Sequence, residues 1–223
     1  MKVSGNWHHA GICNPGTTTT RNQVDDIQSR YQALHHLFVA SAKMVSLGRS
    51  IDKDYHFGNM ISYGPLYPLT CNPDDVLYAY EQNKIENQFC GDVMVFGEYP
   101  YYIKKYFSDH QVKLNITEED REILKKGTVD FYTFSYYNSN CVSTTQEAKE
   151  MVSGNNVNGI KNPYITYTPW GWGIDPVGLR YTLNEVYDRY HLPMIITENG
   201  IGIEEKLVKD ERGCLTVQDD ERI

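Results

Sequence analysis

The sequence predicts an α/β fold built on parallel strands. Two short runs, Val129 to Tyr137 (VDFYTFSYY) and Met194 to Thr197 (MIIT), are almost wholly apolar, aromatic or β-branched, the composition of buried strands. Before and between them lie segments whose apolar residues recur every three or four positions, the stripe of a helix that faces a core. Reading along the chain gives helix, strand, helices, strand, helix, strand. Alternation of that kind implies parallel strands joined by crossover helices.

Residues 1 to about 21 read as a loop, with a run of four Thr (Thr17 to Thr20) and no helical period. From Asn22 the residues Val24, Ile27, Tyr31, Leu34, Phe38, Ala42 and Val45 form an amphipathic stripe, and Gly48 is the expected stop. His35 and His36 lie within this helix; consecutive helical positions point apart, so both read as packing residues. Tyr55 to Tyr63 reads as a strand bounded by Gly64-Pro65, and a turn-rich loop runs on to Pro73. Asp74 to Phe89 has helical composition, with Asn72 or Asp74 available as cap. Pro100 opens another helical piece, and Thr117-Glu118-Glu119-Asp120 is a capping signal for a helix ending near Gly127.

After the VDFYTFSYY strand an irregular loop runs to Asp175, carrying Asn155-Asn156, Asn158-Gly159 and two Trp. Loops of that length in a compact domain usually serve function. Pro176 opens a helix whose expected apolar face is Leu179, Leu183, Val186, Tyr187 and Tyr190. Pro193 ends it and leads into the Met194 strand. Asp210 to Gly213 reads as a surface turn, and Asp219 to Ile223 as a first helical turn.

Composition narrows the function. With 223 residues the chain can bury a real core, and a net charge of −8 without a basic run argues against nucleic acid or an anionic membrane as partner. The 18 Tyr against 7 Phe suit a polar, ring-shaped ligand and equally a Tyr-rich core. Five scattered Cys, none in a CxxC pair, form neither a disulfide framework nor a zinc site and fit a reducing compartment. The polar N-terminus and the absence of any apolar run of about 20 residues give a cytoplasmic reading.

Glu198 stands where the Met194 strand becomes the Asn199-Gly200 turn. In a parallel α/β sheet the C-terminal ends of strands face the ligand crevice. A carboxylate there either hydrogen-bonds its own turn or does chemistry, and these residues alone leave both readings open.

Several blocks taken together resemble one family. Ile196-Thr197-Glu198-Asn199-Gly200 resembles the nucleophile motif of the family 1 glycoside hydrolases, the retaining β-glycosidases. Tyr31-Gln32-Ala33-Leu34-His35-His36 looks like the helix after that family's acid/base strand. Val129-Asp130-Phe131 with Ser135-Tyr136-Tyr137 looks like its sixth barrel strand, and Trp170-Gly171-Trp172-Gly173-Ile174-Asp175-Pro176 with Val177-Gly178-Leu179-Arg180 looks like the segment before its seventh helix. The blocks occur in the family's order and cover essentially the whole chain. Within the family the WGW run and the FSYY strand look most like the bacterial 6-phospho-β-glucosidases; plain β-glucosidases usually carry Asn at the place of Ser135.

The resemblance implies a partial (β/α)8 TIM barrel, about strand five to strand seven with their helices, over residues 1–223 as one domain truncated at both ends. It implies Glu198 as nucleophile, Tyr137 as its hydrogen-bonding partner, Trp172 as the indole platform under the sugar with Trp170 beside it, and no metal or cofactor. The implied partner is a small-molecule β-glucoside, 6-phosphorylated. A retaining glycosidase needs a second carboxylate as acid/base about 5–5.5 Å from the first. In the family this is the Glu of an Asn-Glu motif, which alignment of the flanking blocks places upstream of Met1; Asn184-Glu185 sits on a helix instead. The chain as it stands is therefore expected to be inactive. The alternatives are a plain β-glucosidase, a 6-phospho-β-galactosidase, or a non-catalytic fragment.

Overall fold

The computed structural model describes residues 3–4, 27–145, 151–152 and 159–217. Val24, the Thr17 to Thr20 run, the Asn155-Asn156 pair and the Asp219 to Ile223 turn lie outside them.

Four strands form one all-parallel sheet in the order β1 (Val3–Ser4), β2 (Ile61–Ser62), β4 (Tyr132–Tyr136), β8 (Met194–Asn199). The N-terminal segment is thus not wholly loop, because Val3–Ser4 pairs with Ile61–Ser62. The sheet is open among the described residues, with β1 and β8 at its edges. Beyond the ends of β2 and β4, β3 (Leu66–Pro68) pairs in parallel with β5 (Asn140–Val142). This strand replaces part of the loop expected before Pro73. Conversely, the strand expected over Tyr55 to Tyr63 shrinks to Ile61–Ser62 and one bridge from Gly58 to Phe131, since the stretch between them makes no continuous ladder.

Helix α1 (Ile27–Ile51) buries Tyr31, Leu34, Phe38, Ala42 and Val45 of the stripe read from the sequence, together with Arg30, His35 and Val39. It does not stop at Gly48. A Cβ on that residue would lie 2.1 Å from the Phe57 ring, so the glycine is kept for close packing inside a helix that continues past it. His35 is buried, with Nδ1 3.0 Å from the Tyr99 hydroxyl and Nε2 3.5 Å from Asp120, whereas His36 is exposed. Burial lowers the His35 pKa from its ordinary value, against the pull of Asp120 in the other direction.

Asn72 caps α2 (Pro73–Asn83) by accepting from the Asp74 amide at 3.1 Å. The helix does not end at Phe89. It passes through a π-helical turn, Lys84–Gln88, into α3 (Phe89–Phe96). Asn83 and Asn87, one turn apart, use the side of this helix as a surrogate strand: each exchanges two hydrogen bonds of 2.7–3.0 Å with the backbone of Leu66 and Gly64. That pins the loop leaving β2. Helix α4 (Tyr101–Asp109) follows, then α5 (Glu118–Lys126), whose capping box between Thr117 and Asp120 is complete.

The core lies between the sheet and these helices, with Ile61, Tyr132 and Phe134 fully buried against Phe38, Phe89 and Val93. Burying a side chain of this size contributes about 1.5–3 kcal/mol. Helix α6 (Pro176–Tyr190) closes it with Gly178, Thr182, Val186 and Tyr190; Thr182 replaces Tyr187, which is exposed, as a member of the inner face. Arg189 and Asp92 tie α6 to α3. The guanidinium donates from two nitrogens at 2.6 Å, and the hydroxyls of Tyr102 and Tyr190 donate to the same carboxylate at 2.6 and 2.9 Å. Asp92 is wholly buried. Asp92→Ala should therefore lower unfolding free energy by about 3 kcal/mol, because it strands a cation and two hydroxyls together. A urea midpoint that falls with an unchanged slope checks it; no shift would show that the pair is dispensable.

β8 departs from expectation. Its composition predicts a buried strand, yet Ile195 and Ile196 are 50% and 37% exposed while every residue of β4 is buried. β4 has a strand on each side; β8 has one neighbour among the described residues, and parallel strands are hidden only when both sides and faces are covered. No helix of the described residues is long and apolar enough to cross a membrane.

Candidate active site

The site forms at the C-terminal ends of β4 and β8. Cα partners run in step from Tyr132 and Met194 to Phe134 and Ile196, then jump so that Ser135 faces Glu198. Thr197 is the extra residue of this β-bulge, a device that re-aims side chains beside sites. In unbroken register Glu198 would stand opposite Tyr136, which points to the other face.

Ser135 and Tyr137, two residues apart on an extended chain, share the face that Glu198 enters. Ser135 Oγ donates to Glu198 Oε2 at 2.8 Å, and the Tyr137 hydroxyl donates to the same oxygen at 3.0 Å. The expected Tyr137–Glu198 bond is present. The Ser135 contact was not foreseen: this residue stood out in the sequence only for its departure from Asn. The period-two relation to Tyr137 was the signal available. Asn199 Nδ2 donates to the Tyr136 carbonyl at 2.9 Å and fixes the strand end that carries Glu198.

The loop bearing the two indoles is held by a buried carboxylate. Asp175 caps α6 through the Gly178 amide at 2.8 Å, and its other oxygen accepts from Ser139 at 2.5 Å and Tyr67 at 3.0 Å. The Tyr136 hydroxyl donates to the Asp175 carbonyl at 2.7 Å. Burial, then the adjacent Asp175 charge, push the Tyr67 and Tyr136 hydroxyls well above the usual phenol range, so both remain donors. From this anchor β6 (Thr166–Tyr167) and β7 (Gly173–Ile174) form a small antiparallel pair that presents Trp170 and Trp172.

Trp172 meets the Tyr137 ring edge-on, centroids 5.4 Å apart at 62°. Its indole Nε1 is buried and has no hydrogen-bond partner among the described residues. Trp170 is 63% exposed on the same loop. Both indoles rest on Gly202, where a Cβ would come within 2.8 Å of the Trp170 ring and 3.4 Å of Trp172, so the chain leaving Glu198 slides under them only as glycine. The structure thus links Glu198, Tyr137 and Trp172 through the Tyr137 side chain, with Trp170 beside Trp172 over Gly202. Glu185 is engaged elsewhere: its two oxygens accept from Tyr63 at 2.6 Å and Gln88 at 3.0 Å between α6 and the sheet. Among the described residues no three His, Cys, Asp or Glu side chains are grouped as metal ligands would be.

Comparison with known proteins agrees with this architecture. The 6-phospho-beta-glucosidase of Clostridium longisporum is 43% identical over 217 residues, an alignment covering 96% of this chain and 45% of that one. The 6-phospho-beta-glucosidase of Dickeya chrysanthemi is 47% identical over 193 residues, covering 86% and 40%. The chain therefore spans less than half the length of these relatives. Among solved structures, a beta-glucosidase from Exiguobacterium marinum superimposes with a TM-score of 0.74 at 23% identity, over 99% of this chain and 48% of that one. That likeness shows the fold, a partial (β/α)8 barrel left open here. The model of glycosyl hydrolase family 1 matches residues 2–223, so the blocks that resembled the family belong to one continuous match, and the chain is a member of glycosyl hydrolase family 1.

Proposed function

We propose that this chain carries the nucleophile side of a retaining β-glycosidase that acts on 6-phospho-β-glucosides. The observation that supports it is the carboxylate at the end of β8 that receives two hydroxyl hydrogen bonds on one oxygen. Donors of that kind favour the ionised form and fix its direction, as a nucleophile requires. Glu198 attacks the anomeric carbon and forms a glycosyl ester as the aglycone leaves; water then cleaves the ester and restores the carboxylate. Tyr137 and Ser135 position it. Trp172 packs against the sugar face, and Trp170 extends the platform. The acid/base carboxylate that protonates the aglycone and activates the water comes from outside residues 1–223.

The phosphorylated substrate is drawn from the similarity to the two 6-phospho-beta-glucosidases and from Ser135 beside the nucleophile. A sugar carrying a phosphate fits a cytoplasmic enzyme. The test compares p-nitrophenyl β-glucoside with its 6-phosphate in a protein that completes the barrel. The phosphorylated substrate should win by about 100-fold or more in kcat/KM, since a site built for a charged group rejects analogues that leave its partners unpaired. Equal rates would make it a plain β-glucosidase, and preference for the galactoside 6-phosphate would move it to that branch.

A further inference from the structure

A cavity of about 960 Å³ lies away from Glu198, between α2 with its π-helical turn, α4 and the start of the long loop. Five tyrosines line it: Tyr78, Tyr80, Tyr101, Tyr102 and Tyr106. Tyr102 and Tyr106, one turn apart on α4, are set in place. The Tyr102 hydroxyl donates to Asp92 at 2.6 Å, and the Tyr106 ring stacks on His110 at 4.0 Å. Tyr80 and Tyr101 are 56% and 77% exposed, so packing does not account for them. Lys84 brings its ammonium over three of the rings, 4.0 Å from Tyr80, 5.4 Å from Tyr102 and 5.7 Å from Tyr101. Glu86, in the same π-helical turn, faces the cavity with no hydrogen bond or ion pair to a described residue. π-Helical turns of this kind are frequent at functional sites.

We propose that this cavity is a binding site for an uncharged carbohydrate, a β-linked disaccharide or the end of a longer glucan, separate from the Glu198 site. Flat, hydroxylated rings match the alternating C–H and O–H surface of a pyranose. The volume suits a small ligand of that size. The charges balance: Lys105 and Asp109 pair at 2.7 Å on the rim, and the Lys84 cation over the rings is offset by Glu81 in the same lining, so no net field selects an ion. Burial also pushes the Glu86 carboxyl up to about 7, so about half of it at neutrality, and most of it below, is an uncharged donor and acceptor suited to hydroxyls.

The experiment is saturation-transfer NMR of the 223-residue chain with cellobiose. Transfer to the sugar ring protons is expected at about 50 mM or below, and Tyr80→Ala/Tyr101→Ala should weaken binding about tenfold. Both rings are exposed, so the fold is expected to survive; unchanged circular dichroism verifies that. Glu86→Leu, which leaves no void, should weaken binding similarly, and Glu86→Gln should restore it. Absence of transfer, or wild-type affinity retained in the tyrosine and Glu86→Leu variants, overturns the proposal. Transfer arising at Glu198 would persist in these variants, whose positions line only this cavity, so the loss on their substitution separates this proposal from the Glu198 reading.

Discussion

Glu198→Gln, made in a protein that also supplies the second carboxylate, should abolish glycosyl transfer while substrate still binds. Gln keeps the size of the side chain and can still accept from Ser135 and Tyr137 at the positions that now bond Oε2. It cannot act as the anionic nucleophile, so the loss falls on kcat, by about 10⁴–10⁶-fold, with binding of the intact substrate changed little. Steady-state rates paired with calorimetric titration of the substrate separate the two. Residual turnover within tenfold of wild type would mean that another group attacks the sugar.

The 223-residue chain on its own should turn over aryl 6-phospho-β-glucosides more slowly than a protein with both carboxylates by at least about 10²–10⁴-fold, the usual worth of general acid–base help. The geometry adds to the chemistry. Glu198 sits on the sheet edge, in a strand with one neighbour among the described residues and two half-exposed isoleucines. A carboxylate aimed from an uncovered edge strand is held less firmly than one inside a closed barrel, and closure needs all eight strands. Robust hydrolysis by the purified chain would show that an acid/base lies within it, and Glu185 would be the first residue to re-examine despite its bonds to Tyr63 and Gln88.

How far the sequence carried the structure depends on what set each feature. Elements governed by local chemistry were legible: the Thr117 box, the Asn72 cap and the Pro176 helix start each follow from side chains within a few residues. Features governed by distant contacts were not. Gly48 reads as a stop but is a seat for Phe57, and the helix from Pro73 runs through Phe89 because Asn83 and Asn87 bind a loop some 20 residues upstream. The exposure of Ile195 and Ile196 is a property of sheet order, which no short window encodes. In the site, Glu198 was legible as a carboxylate at a strand end, and its union with Tyr137 followed from the family resemblance. The bulge at Thr197 that turns Glu198 towards Ser135 was hidden, since register belongs to the pair of strands and not to either sequence.

The most direct measurement is to trap the glycosyl ester. An activated 2-deoxy-2-fluoro β-glucoside 6-phosphate should react with the barrel-completed protein, because the fluorine slows both steps through their oxocarbenium-like transition states while the good leaving group lets the ester accumulate. Digestion and mass spectrometry should then place one label in the peptide holding Ile195 to Gly200, on Glu198, with none in the Glu198→Gln protein. Label on a different carboxylate, or an active enzyme that takes no label, would contradict the assignment of Glu198 as nucleophile.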